Sequence, residues 1–273
     1  MAPHAIILRA AHRAAATVAE FARLGIDSSC TQLIETVWPQ DLTALDERVG
    51  RLAAGEYQWV MLTSVSTVHV LAQRLAGRPL PPHTRFAAVG ASTAAAAGRL
   101  LGREVDFLPA EQSAAGMVRE FFLPPGTRVL YAHGDLASPT LSQGLRGRQV
   151  ALDEVIAYAT VPAGGDQHPV HALPAPDGVR VLDPQQMLGA LPHSQLVVFA
   201  APSIVRRFAE LAGTSLAVGL GTIAIGAPTA RAMEQAGIRV DATAADPTPA
   251  GLAACARRLL QREPEPGQHR PHT

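Results

Sequence analysis

The chain has 273 residues, of which 48% are hydrophobic and 17% charged, and its formal net charge is +0. This composition excludes a disordered chain, and the balanced charge leaves no overall basic field to gather nucleic acid or anionic lipid. All 23 basic residues are arginine, so the missing lysine excludes Schiff-base chemistry and a P-loop lysine, which both need a primary amine.

Short apolar runs alternate with alanine-rich amphipathic stretches from the start of the chain. The first run, residues 5–10, precedes an amphipathic stretch at 12–25, and the pattern returns at 59–65 followed by 66–77. Such alternation is typical of βα units, in which the strands build a parallel sheet. The sequence therefore predicts the α/β fold class.

An internal repeat relates two halves of the chain. The segment that begins at Gln58 aligns with the segment that begins at Gln195. Four further pairs continue the alignment: Gly90 with Gly226, Thr93 with Thr229, Asp106 with Asp241, and Gly116 with Gly251. The offset of about 135 residues is too long for a solenoid repeat and suits a duplicated domain. The sequence therefore predicts two similar domains.

Two segments lack the periodicity of the rest. Residues 162–192 are rich in proline, glycine and histidine, which indicates a connection with an irregular insert at 163–193. Residues 263–273 combine proline with charged and polar residues, and we expect a disordered tail there.

Several features favour a cytoplasmic protein. Two uncharged stretches, residues 184–205 and 211–230, carry glutamines, hydroxyls, glycines or internal prolines, so we expect neither to span a membrane. Arg9 and Arg13 interrupt the N-terminal apolar run, and no secretory signal is expected. The two cysteines form no CxxC pattern, which favours a reducing compartment over a disulfide scaffold.

Hydroxyl residues follow the predicted strands in both halves, where the next helix begins. They are Thr63, Ser64, Ser66, Ser92, Thr93, Ser203, Thr229 and Thr248. A hydroxyl at this position caps its helix while the other free amides point outward, and such helix ends favour anions at the carboxyl edge of a parallel sheet. Capping alone explains any one of these residues. Taken together, they indicate a multiply anionic small molecule lying between two domains.

Tyr158 ends a strand-like run at residues 151–161 in a chain with only three tyrosines. Two interpretations stay open, an amphipathic core residue or a hydroxyl that gives substrate a proton or a hydrogen bond. The ten histidines show no metal-ligand spacing, and no GxGxxG or GxxxxGK motif is present. We therefore expect neither a metal nor a cofactor.

The order of these motifs resembles that of the uroporphyrinogen-III synthase family. The matching segments are LRA with Arg9, LIETVWP with Glu35, WVMLTSVSTV with Thr63 and Ser64, VGASTA with Gly90 and Thr93, YAHGD, AYATV with Tyr158, FAAPS with Ser203, IGAPTA with Gly226 and Thr229, and DPTPAGL with Gly251. Each motif alone is degenerate, and their order and spacing make the resemblance specific. It covers residues 5–260.

The resemblance implies two flavodoxin-like α/β domains with parallel sheets, joined by a two-strand connection. Residues 1–37 and 162–262 would form one discontinuous domain and residues 39–160 the other, with a ligand cleft between them. The resemblance also implies a cyclising hydro-lyase of haem biosynthesis, which converts hydroxymethylbilane to uroporphyrinogen III with inversion of ring D and loss of water. We expect a monomer that binds this small molecule and neither nucleic acid nor membrane.

Residue roles follow from the resemblance as well. Tyr158 matches the family tyrosine proposed to assist departure of the hydroxyl group. The expected substrate-binding residues are Arg9, Thr63, Ser64, Ser66, Gly90, Thr93, Ser203, Gly226 and Thr229. Backbone amides near these residues would hold the acetate and propionate carboxylates of the bilane.

The sequence departs from the family pattern at five positions. At positions where the family often has arginine, another basic residue or a hydroxyl residue, this chain has His133, Ser138, Ala159, Ala200 and Ala201. Each change removes a potential carboxylate partner, so reduced activity is one expectation. The alternative function is a non-catalytic tetrapyrrole-binding or regulatory protein on the same fold, although we expect no output domain after Leu260. A binding protein for a sugar or phosphate is disfavoured by the low aromatic content of 4%.

Overall fold

A computed structural model describes residues 2–165, 167–170, 173–216 and 219–261. The tail predicted at 263–273 lies outside these residues. Contacts between residues divide the chain into unit 1, which comprises Met1–Ile34 and Leu173–Thr273, and unit 2, which comprises Glu35–Ala172.

The elements alternate between strands and helices along the chain. Unit 1 begins with β1 (His4–Leu8), α1 (Ala11–Arg23) and β2 (Asp27–Cys30). Strand β3 (Ile34–Val37) leads into unit 2, which continues with α2 (Thr43–Ala53), β4 (Trp59–Leu62), α3 (Val65–Leu75), β5 (Arg85–Ala88), α4 (Ala91–Leu101), α5 (Ala114–Glu120), β6 (Arg128–Gly134), α6 (Thr140–Arg146) and β7 (Ala151–Pro162). The rest of unit 1 comprises β8 (Arg180–Val181), α7 (Pro184–Ala190), a 3-10 helix (Leu191–His193), β9 (Leu196–Phe199), α8 (Pro202–Ala212), β10 (Gly221–Ala224), α9 (Ala227–Gln235), β11 (Ala242–Thr243) and α10 (Pro249–Leu260).

The sheet of unit 1 has the strand order β11-β10-β9-β1-β2-β8, and its neighbouring strands run parallel. Helix α1 buries Phe21 on one face of the sheet, while α8 buries Phe208 on the other. The helices that follow the adjacent strands β1 and β9 therefore leave on opposite sides. This arrangement makes the carboxyl ends of β1 and β9 a topological switch point, where open α/β sheets bind ligands.

The sheet of unit 2 has the order β3-β7-β6-β4-β5, with β4 parallel to β5 and β6, and β6 parallel to β7. Helix α3 buries Leu71 on one face and α6 buries Leu141 on the other. The switch point of unit 2 therefore lies at the carboxyl ends of β4 and β6. Unit 1 has the flavodoxin-like order, with β8 added at one edge. Unit 2 has the same spatial arrangement, but its first strand, β3, lies at the edge beside its last strand, β7. The predicted α/β class with parallel sheets is confirmed.

The predicted repeat is confirmed by two aspartates that play the same part in the two units. Asp106 accepts a hydrogen bond from the amide of Phe86 at 2.8 Å, and Asp241 accepts one from the amide of Thr222 at 2.9 Å. Phe86 lies on β5 and Thr222 on β10. Each carboxylate thus ties a connecting loop to a strand at the matching place in its sheet.

Two aligned glycines are also equivalent in structure. A Cβ at Gly116 would collide with the backbone carbonyl oxygen of Glu111, and a Cβ at Gly251 with that of Asp246. Each glycine is the third residue of its helix, and its amide donates to the hydroxyl that caps that helix. Close backbone approach therefore requires glycine at both positions.

The prediction of an irregular insert at 163–193 is wrong for its second half. Strand β8 extends the sheet of unit 1 beside β2, and helix α7 follows it. Asp183 and Gln186 form a capping box at the start of α7, with Pro184 as its first residue. This signature was present in the sequence but was obscured by the proline-rich and histidine-rich composition around it.

His4 makes the stability of unit 1 depend on pH. Its Nδ1 lies 2.8 Å from Ser194 Oγ and its Nε2 lies 3.0 Å from Ser29 Oγ. Burial, together with the positive charge of Arg180, lowers the pKa of His4. Below a pH of about 6.5, His4 therefore binds a proton more readily in the unfolded chain than in the folded chain. The free energy of unfolding consequently decreases as pH falls.

We expect His4→Gln to reduce the fall in melting temperature between a pH of about 7 and about 5, because the substituted side chain does not titrate. Thermal unfolding of both proteins at the two pH values measures this difference. An equal fall in the two proteins would contradict the assignment to His4.

Within the described ranges, no helix combines the length and apolar character needed to cross a membrane.

Candidate functional site

At the switch point of unit 2, the structure brings together two of the residues predicted from sequence. Ser64 is the N-cap of α3, and its Oγ accepts the amide hydrogen of Thr67 at 3.1 Å. The hydroxyl of Tyr158, 94 positions away in the chain, donates to the same Oγ at 3.0 Å. A phenol hydroxyl is therefore held beside the N-terminus of α3, where the free amides of the first turn favour negative charge.

A β-bulge in β7 determines which face of the sheet the Tyr158 side chain lies on. His133 pairs with Ile156, but Gly134 pairs with Tyr158, so Ala157 is an extra residue on β7. As a result, Ala157 and Tyr158 both pack against the core cluster beneath α3, although consecutive strand residues ordinarily face opposite sides. Without this bulge, Tyr158 would face away from Ser64.

Sequence reasoning missed Tyr131, a second tyrosine at this switch point. It lies on β6, is 2% exposed, and has the Thr63 side chain nearby. Burial raises the pKa of Tyr131, and the nearby Thr63 hydroxyl offsets part of that rise. Its place in YAHGD, at the end of a predicted strand, was the signal that could have found it.

The predicted hydroxyl caps are only partly present. Ser64 and Thr248 cap α3 and α10, as expected. The prediction is wrong for Thr63 and Ser66, which lie on either side of the α3 N-terminus that Ser64 caps. It is also wrong for Ser92, Thr93, Ser203 and Thr229, which lie inside the first turns of α4, α8 and α9. Those helices begin earlier than predicted, since their N-cap residues are glycine or alanine in extended conformation.

The predicted hydroxyl residues also differ in how deeply their side chains are buried. Ser66, Thr93 and Thr229 are 7%, 4% and 2% exposed, so their side chains belong to the interior. Gly90 and Gly226 are the N-caps of α4 and α9. At the start of α4, the Ala91 amide donates to Gln112 Oε1 at 2.9 Å. The Thr93 and Thr229 amides donate to the carbonyl oxygens of their own N-cap glycines.

Arg9 lies at the switch point of unit 1, directly after β1. Burial and the charge of Arg13 lower the pKa of Arg9. The pKa of His12 is lowered by burial and then by Arg13 and Arg9. Among the residues that the structure describes, no carboxylate forms an ion pair with the Arg9 guanidinium. Arg9, His12 and Arg13 form what we call the α1 basic cluster, a place suited to an anion.

The five departures from the family pattern are His133, Ser138, Ala159, Ala200 and Ala201. The ring of His133 lies within hydrogen-bond distance of the Gly134 carbonyl oxygen, and Ser138 Oγ lies 2.8 Å from Thr140 Oγ1. The three alanines offer no polar side chain. Of the five, only His133 can carry a positive charge.

A family model described as uroporphyrinogen-III synthase HemD matches residues 15–254. The chain belongs to the uroporphyrinogen-III synthase family. The match therefore supports a function in tetrapyrrole biosynthesis. The family consists of enzymes that act on a small-molecule tetrapyrrole. Among curated proteins, no sequence matches.

Solved structures of this family share the fold. A mutant uroporphyrinogen III synthase of the extremely thermophilic bacterium Thermus thermophilus aligns with a TM-score of 0.63 at 19% identity, covering 96% of this chain and 100% of that one. The uroporphyrinogen-III synthetase of Helicobacter pylori aligns with a TM-score of 0.54 at 16% identity, covering 94% and 98%. At these identities, the likeness establishes the two-domain α/β fold.

Proposed function

We propose that this member of the uroporphyrinogen-III synthase family is an active enzyme, which converts hydroxymethylbilane to uroporphyrinogen III with loss of water and inversion of ring D. The observation that carries this proposal is the Tyr158 hydroxyl, held 3.0 Å from Ser64 Oγ at the switch point of unit 2. That edge of a parallel sheet is where a ligand would be bound.

Tyr158 acts in this proposal as a proton donor. The hydroxyl of the substrate leaves with its bonding electrons and takes a proton, so that it departs as water. The azafulvene cation that remains is attacked by the substituted position of ring D, which gives a spiro intermediate on the way to the inverted product. Ser64 holds the phenol oxygen in place before this step. These steps need neither a metal nor a cofactor.

Positioning of the bilane supplies much of the remaining catalysis. In favourable intramolecular cases, correct orientation contributes roughly 7–11 kcal/mol to lowering a barrier. The acetate and propionate groups would be held by Arg9, by Thr63, and by first-turn amides near Ser66, Gly90, Thr93, Ser203, Gly226 and Thr229. The hydroxyls of Ser66, Thr93 and Thr229 are buried, and the Thr93 and Thr229 amides donate to the Gly90 and Gly226 carbonyl oxygens. We therefore assign this role to neighbouring first-turn amides.

Arg9 offers a direct test of carboxylate binding. We expect Arg9→Gln to raise KM about tenfold and to change kcat little, since a charge-assisted hydrogen bond contributes about 1.5–3 kcal/mol. Steady-state kinetics with hydroxymethylbilane measures both constants. Arg23→Gln is the matched control, because Arg23 lies at the far end of α1, is exposed and pairs only with Glu20 among the described residues. Equal KM values for the two variants would remove Arg9 from the binding site.

The product of the reaction tests the proposal as a whole. Freshly made hydroxymethylbilane is added to the purified protein, and the type III and type I isomers are separated. We expect type III. Type I alone, formed at the spontaneous rate, would overturn the proposal and favour a non-catalytic tetrapyrrole-binding protein, the alternative that Ala159, Ala200 and Ala201 support. Saturable binding of the bilane without turnover would identify that alternative.

The proposal extends to the organisation of the protein. We propose domains at residues 1–37 with 162–262 and at residues 39–160, in a monomer. We also propose that the protein acts in the cytoplasm. Cys30 and Cys255 are free and buried, which suits a reducing compartment.

A further inference from the structure

Gly134 lies directly against the ring of Tyr158. A Cβ placed on Gly134 would come within 2.5 Å of Cε2, 2.6 Å of Cζ and 2.8 Å of the hydroxyl oxygen of Tyr158. Carbon atoms do not approach so closely without displacement. The backbone at Gly134 is outside the left-handed region, so the requirement for glycine comes from the ring and not from conformational freedom.

The Tyr158 side chain has little room to retreat from such a contact. The Asp135 amide donates to the Tyr158 carbonyl at 3.1 Å, and the Thr160 amide donates to Asp135 Oδ1 at 3.0 Å. These bonds fix the backbone of β7 at the tyrosine carbonyl and two residues beyond it. At its far end, the ring is held by the hydrogen bond to Ser64.

We propose that Gly134 is a positioning residue, which leaves room for the Tyr158 ring beside β6 so that its hydroxyl reaches Ser64. A methyl group at this position pushes the ring away and moves the hydroxyl from the cap of α3. The expected loss of turnover rests on the proposed function, whereas the expected displacement of the Tyr158 hydroxyl does not.

The first test is kinetic. Gly134→Ala lowers kcat for type III formation by about 10²-fold and changes KM little, because displacement of a catalytic group by about 1 Å has an effect of that size. Gly144→Ala is the matched control. A Cβ there would collide with Val118, between α6 and α5, which pack on the face of the sheet opposite to Tyr158. This variant therefore loses stability and keeps its kcat. Equal kcat values in the two variants would overturn the inference.

The second test needs no activity. The chain has three tyrosines, so tyrosine labelled with ¹³C at Cζ gives three NMR signals, and Tyr158→Phe identifies one of them. We expect the Tyr158 signal to move in Gly134→Ala and in Ser64→Ala, and to stay in place in Gly144→Ala. An unmoved signal in Gly134→Ala overturns the inference. A wild-type protein that yields no type III product overturns the proposed function instead, and this test still decides the inference.

A third variant covers the case in which Gly134→Ala does not fold. If the collision is with the Tyr158 ring, the double variant Gly134→Ala with Tyr158→Ala recovers soluble, cooperatively melting protein. If the double variant also fails to fold while Tyr158→Ala alone folds, the ring is not what requires glycine and the inference is wrong.

Discussion

Tyr158→Phe lowers kcat for type III formation by about 10²-fold or more and leaves the fold intact. The substitution removes the only group of the side chain that can donate a proton, and a positioned general acid contributes roughly 10²–10⁴-fold to rate. The ring remains to fill its space against the core beneath α3. Product analysis with fresh hydroxymethylbilane measures the rate, and thermal unfolding verifies the fold.

Tyr57→Phe is the matched control for this variant. The Tyr57 hydroxyl donates to Asp153 at 2.6 Å, in a cluster that also includes Arg48 and Arg51, away from Ser64. This variant loses a charge-assisted bond and therefore melts at a lower temperature, with an unchanged kcat. A Tyr158→Phe enzyme with the kcat of wild type would exclude Tyr158 as the proton donor.

Phe208→Ala lowers the free energy of unfolding of the protein by about 3–5 kcal/mol. Phe208 is fully buried beneath α8, and its ring meets that of Phe199 edge to face with centroids 5.0 Å apart. Removing the ring leaves a cavity at the end of β9, next to the switch point of unit 1. Urea unfolding measures the loss.

Phe122→Ala provides the comparison for Phe208→Ala. The Phe122 side chain is 74% exposed and contacts the Arg148 guanidinium 4.4 Å from the ring centroid. Its loss lowers stability by at most about 1 kcal/mol. Similar losses in the two variants would mean that Phe208 is not part of a tightly packed core.

Pattern reasoning was sufficient for the fold class and the duplication because both depend on properties that repeat along the chain. Apolar runs predict strands wherever a sheet is buried on both faces. The pairing of Asp106 with Asp241, and of Gly116 with Gly251, was visible because each residue serves the same backbone contact in both units. Such local requirements restrict the residue type at one position, so they can be recognised in the sequence.

The geometry of the candidate site is harder to predict from the sequence than the fold. Tyr158 was identified through a family resemblance, but the side of the sheet that it faces depends on the extra residue at Ala157, which no local pattern reveals. The partnership of Tyr131 with Thr63 depends on the register between β6 and β4. Register is set by tertiary packing, so a sequence read in isolation does not supply it.

The order in which unit 1 receives its strands has a consequence for synthesis on the ribosome. Strand β1 lies between β2, which is made soon after it, and β9, which is made much later and places Leu196 opposite Ala5. All of Glu35–Ala172 is made in between and has its own sheet. Because domains fold as units while the chain grows, unit 2 can acquire its structure during translation, while the sheet of unit 1 must wait for β9. The β1–α1–β2 segment therefore lacks β9 for most of the synthesis of this chain, and this is the interval in which a chaperone would engage it.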